Sequence, residues 1–472
     1  MTDPILIVQM QRMGDLILSF PLIVDRMLAE PKTPIWLVAE EIFYAPLLRL
    51  APPVTFFPPS HLPQLVQKPF SCVINISSRP EAARFLGEVR ADIKLGPLAT
   101  EGAHRVNGFW HLYRHSLTQN NRHNTFHWAD LNRLDLYRHI RDIPQRGHRI
   151  RAKQSRRIGL VLGASESSKH PDVSFWTLLA KTLVRCGYLP FLFGGPGEAA
   201  MGEAVARAAG IPGANLCGKL SVDDLAAWFS TLALCISPDT GPMHLADWLS
   251  VPVLNLSMGP VRALETGPYS QGQWILKPAM SCAGCWQCDE KKFRCKKKFR
   301  ATKVAHCALA LLSESQCDPK PSLTLLKSAR SDKLYTADYG REQNCQTILD
   351  RVQRRLFLSL WEGTSSADVP DLTDLTELMD LARTHPRLIA LMEKHLDLLC
   401  AKVLLATRGI QKAIAHGLFL RTMPALRLFT GFLESYLQNY DMSPKSLDTV
   451  CTWLVWFRDS LRIVLSSSTP PT

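Results

Sequence analysis

Short, unbroken apolar runs, each followed by a glycine-bearing turn and then a helical pattern, constrain this chain more than any other feature. Ile5-Leu-Ile-Val8 leads into Met13-Gly14-Asp15, after which Leu16 to Leu28 repeats at helical spacing. An apolar run without alternation suits a strand buried on both faces, as in a parallel sheet. Ile35–Val38 and Cys72–Ile76 repeat the signal. Such a rhythm predicts a parallel sheet covered by helices. A second series opens with the strand Arg157 to Leu162 and the turn Gly163-Ala164-Ser165. Helix Phe175 to Cys186, stopped by Gly187, strand Pro190–Phe193 and helix Glu198 to Ala209 follow. Helix Val222 to Ser230, strand Leu232 to Ser237, helix Met243 to Leu249 and strand Val251 to Leu256 complete it.

Between the series, residues 107–141 hold Trp110, His111, Tyr113, His115, His123, His127 and Trp128 among polar residues. This composition predicts helix and loop rather than strand. The rhythm stops near Ser322. Beyond it, Cys345–Leu360, Leu372–Arg383, Pro386–Thr407 and Pro444–Leu465 carry helical spacing. The fold class is therefore α/β, with two Rossmann-like domains and a C-terminal all-helical extension. The predicted boundaries are 1–150, 151–321 and 322–472, in keeping with about 150 residues per domain.

The composition, 46% hydrophobic and 21% charged, excludes disordered and fibrous classes. The formal charge of +13 suits an anionic partner. Basic residues gather at Arg141, Arg146, Arg149, Arg151, Lys153, Arg156 and Arg157, and again at Lys291, Lys292, Arg294, Lys296, Lys297, Lys298, Arg300 and Lys303. Aromatic residues interleave poorly with the second group, so nucleic acid is not expected. No secretory leader opens the chain, and no apolar stretch reaches the ~18 residues of a membrane span. An intracellular, reducing location is the expectation. There, the 13 cysteines are thiols or metal ligands. Cys282, Cys285, Cys288 and Cys295 have spacing that suits structural zinc or an iron–sulfur cluster. Lysines nearby are expected to lower the thiol pKa values.

Ser237-Pro-Asp-Thr-Gly-Pro-Met-His244 follows a strand and opens a helix. Thr240 and Gly241 would offer backbone N–H groups to a diphosphate, and Asp239 would accept from sugar hydroxyls. His244 lies one turn in. A helix cap with a packed histidine is the plainer alternative. Asp15 follows the first strand, where ligands bind in open α/β sheets, and could take a proton from a hydroxyl. Lys169 follows the Gly163–Ser168 loop as a mobile cation. Glu198 follows a strand and a glycine-rich turn. That turn does not match GxGxxG, so no dinucleotide fingerprint is present.

Together these segments resemble glycosyltransferase family 9, the ADP-heptose:lipopolysaccharide heptosyltransferases, over roughly Ile5 to Leu312. The likeness is strongest at Asp239-Thr-Gly-Pro-Met-His244 with Leu249-Ser-Val-Pro-Val253. The resemblance implies a GT-B fold, acceptor domain first and donor domain second. It implies Asp15 as general base, and Lys169, Glu198, Asp239, Thr240, Gly241 and His244 as donor contacts. Gly14, Gly163 and Ser165 fall in the loops on the phosphate side. Catalysis is expected to invert the anomeric carbon and to require no metal. The implied partners are an ADP-sugar such as ADP-heptose, a lipid-linked glycan and, peripherally, an anionic membrane in the cytoplasm. The loop Glu166–Pro171 lacks the tryptophan often found after the family's lysine, and the helical extension is foreign to the family core. A relative using another nucleotide sugar, or a catalytically inactive GT-B binding protein, are the alternatives.

Overall fold

A computed structural model describes residues 2–118, 120–136, 155–280, 282, 284–286, 288, 293–319, 321–331, 333–338, 345–363, 376–408 and 422–468. Five members of the first basic group (Arg141, Arg146, Arg149, Arg151, Lys153) lie outside the described residues, as do Lys291 and Lys292 of the second. The chain divides into two compact units. The first comprises Met1–Lys94, Phe126–Arg133 and Ile140–Gly340; the second comprises Leu95–Thr125, Leu134–His139 and Arg341–Thr472.

In the first unit, β1 (Ile5–Val8), β2 (Ile35–Val38), β3 (Thr55–Phe57) and β4 (Pro69–Asn75) form a parallel sheet in the order β3-β2-β1-β4. All four residues of β1 are buried, as the continuous apolar run requires. The helix after β1 is two helices, Met13–Leu18 and Phe20–Ala29, rather than one. Pro21 has no N–H and its ring collides with the carbonyl four residues back, so the first helix ends before it. The Ser19 hydroxyl donates to the Leu16 carbonyl (2.6 Å) at the break. The chain passes into the second unit along β5 (Arg90–Thr100), which pairs antiparallel with β6 (Ala103–Asn107).

The second sheet also belongs to the first unit. Its strands are β7 (Arg157–Val161), β8 (Leu189–Phe193), β9 (Leu234–Pro238), β10 (Val253–Leu256), β11 (Trp274–Pro278), β12 (Leu323–Ser331) and β13 (Leu334–Asp338). The order is β13-β12-β11-β10-β9-β7-β8. Strands β7 to β11 run parallel, while β12 and β13 add as an antiparallel pair. Helices Val173–Arg185, Ala199–Ala209 and Ala301–Leu312 pack one face through Trp176, Leu179, Leu183, Val205, Val304 and Ala308. Helices Val222–Ser230 and Gly241–Trp248 supply Phe229, Met243 and Ala246 to the other face. Truncating fully buried Trp176 to alanine would cost about 3–5 kcal/mol, because the cavity could not collapse completely.

In the second unit, helix Arg427–Asn439 is the hub. Phe432 meets Phe109 (5.0 Å between ring centroids), Phe357 (5.3 Å) and Trp453 (6.0 Å). Asn439 caps the edge of β6 as a strand would: its Oδ1 accepts from Val106 N–H (2.7 Å) and its Nδ2 donates to Val106 O (3.1 Å). Helices Cys345–Gly363, Thr376–Thr384, Pro386–Thr407 and Pro444–Ser468 also belong to this unit.

Candidate active site

Strand order determines where a ligand crevice opens. In the second sheet β7 lies between β8 and β9; in the first, β1 lies between β2 and β4. At each reversal the two following loops diverge, leaving room at the carboxyl ends of the strands. Gly163 follows β7, Glu198 follows β8, Asp239 follows β9, and the segment through Asp15 follows β1. Gly163, Glu198, Asp239 and Asp15 therefore all lie at the carboxyl ends of strands in the two sheets.

Asp239 stands at the centre of the group after β9. Thr240 is extended (φ −158°, ψ 163°) and begins helix Gly241–Trp248, which has Pro242 in its first turn. Proline lacks an N–H, so Thr240 and Gly241 are the amides that this helix start can offer. The Asp239 Oδ1 lies 3.6 Å from His244 Nε2, and Oδ2 accepts from the Thr266 hydroxyl at 2.9 Å. Burial pushes the Asp239 carboxyl up. The imidazole of His244, the Lys169 ammonium and the Thr266 hydroxyl outweigh burial, so the carboxyl lies below its ordinary value. Lys169 is largely covered, with Nζ 4.0 Å from Glu166 Oε1. Gly259, at φ +87°, presses on it: a Cβ there would lie 3.1 Å from both Lys169 Cγ and Ser168 O. Lys296, from the second basic group, donates to Ser167 O at 2.9 Å and tethers the same loop.

The loop after β1 and the loop after β9 touch. A Cβ on Gly14 would lie 3.1 Å from His244 Cδ2 and 3.5 Å from Gly241 Cα, and a Cβ on Gly241 would lie 2.9 Å from Met13 Cε. Asp15 is in the first turn of helix Met13–Leu18 and partly buried. Trp248 holds the two halves together further along. Its Nε1 donates to Leu50 O (2.8 Å), and its ring meets Phe20 at 5.1 Å.

Glu198 and Gly163 form a second group. Glu198 Oε2 accepts from Gly195 N–H at 2.8 Å, and a Cβ on Gly163 would lie 2.3 Å from Glu198 Oε1. A side chain at residue 163 would therefore have to displace the Glu198 carboxylate. Ser165 is exposed.

Sequence reasoning missed the support beneath Asp239. Thr266 carries no motif, and its role depends on a contact 27 positions away. His127 is fully buried. Its Nε2–H donates to Gly267 O (2.9 Å) while Nδ1 accepts from Ala129 N–H (3.2 Å). Burial, eased in part by Asp130, pushes its pKa down to about 4. Asp130 accepts from the Tyr269 hydroxyl (2.7 Å), the Tyr335 N–H (2.7 Å) and Arg133 (3.1 Å). The density of His and aromatic residues in 107–141 was the available signal; their partners were not legible.

The cysteine segment sits beside this region. Trp286 N–H donates to Pro260 O, and Trp286 Nε1 donates to Glu265 Oε2, both at 2.8 Å. Contrary to the expectation of lysine-lowered thiols, Cys285 is pushed up to about 11, by burial first and then by Cys288 and Cys282 nearby. Cys295 is buried, whereas Cys282 and Cys288 are exposed. Among the described residues, no group of three or more His, Cys, Asp or Glu is arranged to hold a metal ion.

Residues 101–295 match the family model described as glycosyltransferase family 9 (heptosyltransferase). The lipopolysaccharide heptosyltransferase 1 of Pseudomonas aeruginosa is 34% identical over 127 residues, 26% of this chain and 34% of the relative. The lipooligosaccharide heptosyltransferase 2 of Campylobacter jejuni is 27% identical over 165 residues, 34% of this chain and 51% of the relative. The chain thus spans a third to a half of the length of these curated relatives. Among solved structures, a family 9 glycosyltransferase of Veillonella parvula aligns with a TM-score of 0.53 at 21% identity, over 66% of this chain and 98% of that one. The ADP-heptose lipopolysaccharide heptosyltransferase II of E. coli aligns with a TM-score of 0.50 at 18% identity, over 66% and 99%. These likenesses establish the GT-B fold that the resemblance implied. With the matched segment and the curated relatives, they make this chain similar to glycosyltransferase family 9, the heptosyltransferase family.

Proposed function

We propose that this chain is an inverting glycosyltransferase that moves heptose, or a related sugar, from an ADP-sugar to a lipopolysaccharide core or similar lipid-linked glycan on the cytoplasmic side of a membrane. The observation that carries it is the contact of the Met13-Gly14 turn with Gly241 and His244, which brings the helix bearing Asp15 against the helix start at Thr240. The names of the matched relatives, all heptosyltransferases where a sugar is stated, support the donor class.

In this reading the acceptor oxygen attacks the anomeric carbon as Asp15 takes its proton. The bond from that carbon to the diphosphate oxygen breaks on the opposite face, which inverts the centre. Charge builds on the departing diphosphate. The Thr240 and Gly241 amides and the Lys169 ammonium are the groups here that could stabilise it. Asp239, kept ionised by His244, Lys169 and Thr266, accepts from donor hydroxyls. No step passes through a metal, so transfer should persist in EDTA. Loss of transfer in EDTA, restored by one divalent ion, would overturn that part. The main test is a panel of nucleotide sugars with purified protein, read by mass spectrometry of the acceptor and by thermal shift. Transfer from ADP-heptose is the expected result. Neither stabilisation nor transfer with any nucleotide sugar would end the proposal.

No helix among the described residues is long and apolar enough to cross a membrane. Peripheral contact is supported by helix Pro386–Thr407. Leu391, Leu398 and Leu405 recur at seven-residue spacing and are exposed, with Arg387, Lys394 and Arg408 exposed on or beside the same helix. Its acids Glu393 and Asp397 are paired with Arg462, and Asp397 also with Arg458. The exposed side is therefore apolar and cationic, as an anionic bilayer surface requires. The expected result is flotation with phosphatidylglycerol vesicles that is lost when these leucines become glutamine. Self-association without vesicle binding would instead identify a second copy as the occupant.

A further inference from the structure

The strongest unassigned feature of the first unit is the support beneath Asp239. Thr266, half-buried, donates its hydroxyl to Asp239 Oδ2 at 2.9 Å. The next residue, Gly267, is pinned from both sides. Its N–H donates to Ala263 O at 2.9 Å, and its carbonyl accepts from His127 Nε2–H at 2.9 Å. It has no room for a side chain: a Cβ would lie 2.5 Å from Ala263 O and 3.0 Å from the Tyr335 hydroxyl. His127 is equally fixed. Its second nitrogen accepts from Ala129 N–H, and its ring lies 4.9 Å from the Tyr269 ring and 4.5 Å from the Tyr335 ring. Both ring nitrogens are committed, so the neutral tautomer with hydrogen on Nε2 is the one that fits.

We infer that Thr266 is a positioning residue for Asp239, and that His127 holds Thr266 in place through the Gly267 carbonyl. A carboxylate that meets a sugar hydroxyl must present one oxygen in a fixed direction. Here the Thr266 hydroxyl holds Oδ2 and His244 lies 3.6 Å from Oδ1, so the carboxylate plane is fixed and its remaining acceptor positions have set directions. The segment Phe126–Arg133, which carries no group for the reaction, thereby controls the geometry of the donor side. Its second anchor, Asp130 accepting from the Tyr269 hydroxyl, keeps His127 from sliding away. This inference rests on the proposed role of Asp239 as a donor contact.

The test has two arms so that the two ideas fail separately. Without ligand, melting temperatures of T266V, D239N and the double variant form a cycle. Non-additive shifts are expected, and additive shifts would overturn the coupling of Thr266 to Asp239. With ligand, T266V should raise the donor KM about tenfold and change kcat by less than about twofold, while T266S restores the wild-type KM. Equal loss in T266S and T266V would mean that packing matters rather than the hydroxyl, and would overturn the inference. H127F should raise the donor KM in the same direction, without adding to T266V. If H127F does not fold, the threonine pair still decides. A wild-type protein that binds no nucleotide sugar would sink the donor reading, whatever the melting cycle shows.

Discussion

Gly14 lies against His244, so that a Cβ at residue 14 would come within 3.1 Å of the imidazole Cδ2. The histidine is buried and sits 3.6 Å from Asp239, so it has little freedom to yield. Gly14→Ala should therefore disturb the Asp239 carboxylate while leaving the core intact. We expect kcat/KM to fall about tenfold, equivalent to about 1.4 kcal/mol, with little change in melting temperature. Gly241→Ala meets only the flexible end of Met13 within 3.0 Å. If the two variants lose activity equally, with no shift in donor affinity for either, the contact with His244 is not what matters.

Asp15 follows that glycine in helix Met13–Leu18. Asp15→Asn keeps size and polarity but cannot take a proton. Turnover should fall by about 10²–10⁴-fold, while the donor dissociation constant stays within about threefold. Isothermal titration with ADP-sugar and a steady-state assay separate the two. Turnover near that of the wild type would remove Asp15 as the base.

His127 predicts a particular dependence of stability on pH. Its folded pKa is lowered to about 4 by burial, with Asp130 opposing and His244 and Arg330 contributing. The unfolded chain takes up the proton near pH 6.5, so between about pH 6.5 and 4 it binds more protons than the folded one. Stability therefore falls as the pH drops through that window, by on the order of 3 kcal/mol. Asp239 and Asp130, whose folded values lie below the ordinary one, lose their contribution only further into acid. H127Q, which can still donate to the Gly267 carbonyl, should flatten the upper part of the curve. Chemical denaturation at a series of pH values measures it, and an unchanged slope in H127Q would assign it to another group.

The fold was legible where local chemistry dictates it. Ile5–Val8 and Leu234–Pro238 are continuously buried strands whose loops had to fall at sheet ends, and Asp239-Thr-Gly-Pro-Met-His244 carried its own helix start. Leu323–Ser331 and Leu334–Asp338 were not legible, because antiparallel edge strands need no unbroken apolar run and interleave Lys, Arg and Ser with Leu. Val173–Arg185 began two residues earlier than periodicity suggested, since Asp172 caps it by accepting from Phe175 N–H at 2.9 Å. Thr266 and His127 escaped for a different reason. Their roles are set by partners brought close only by the fold, and no spacing in the chain encodes them.

Glu198 has a structural role beside the ligand contact proposed for it, and the two can be separated. Its Oε2 accepts from Gly195 N–H at 2.8 Å, closing the turn after β8, while Oε1 points over Gly163. Glu198→Ala removes both functions. It should cost about 0.5–2 kcal/mol of stability, as loss of a helix cap does, and weaken binding of the nucleotide. Glu198→Gln keeps an oxygen for the Gly195 N–H, so stability should return to within about 0.5 kcal/mol. Its amide offers fewer acceptor sites to a ribose than a carboxylate does, so affinity for ADP should stay several-fold weaker. Stability and affinity recovering together in the glutamine variant would show that Glu198 only shapes the turn.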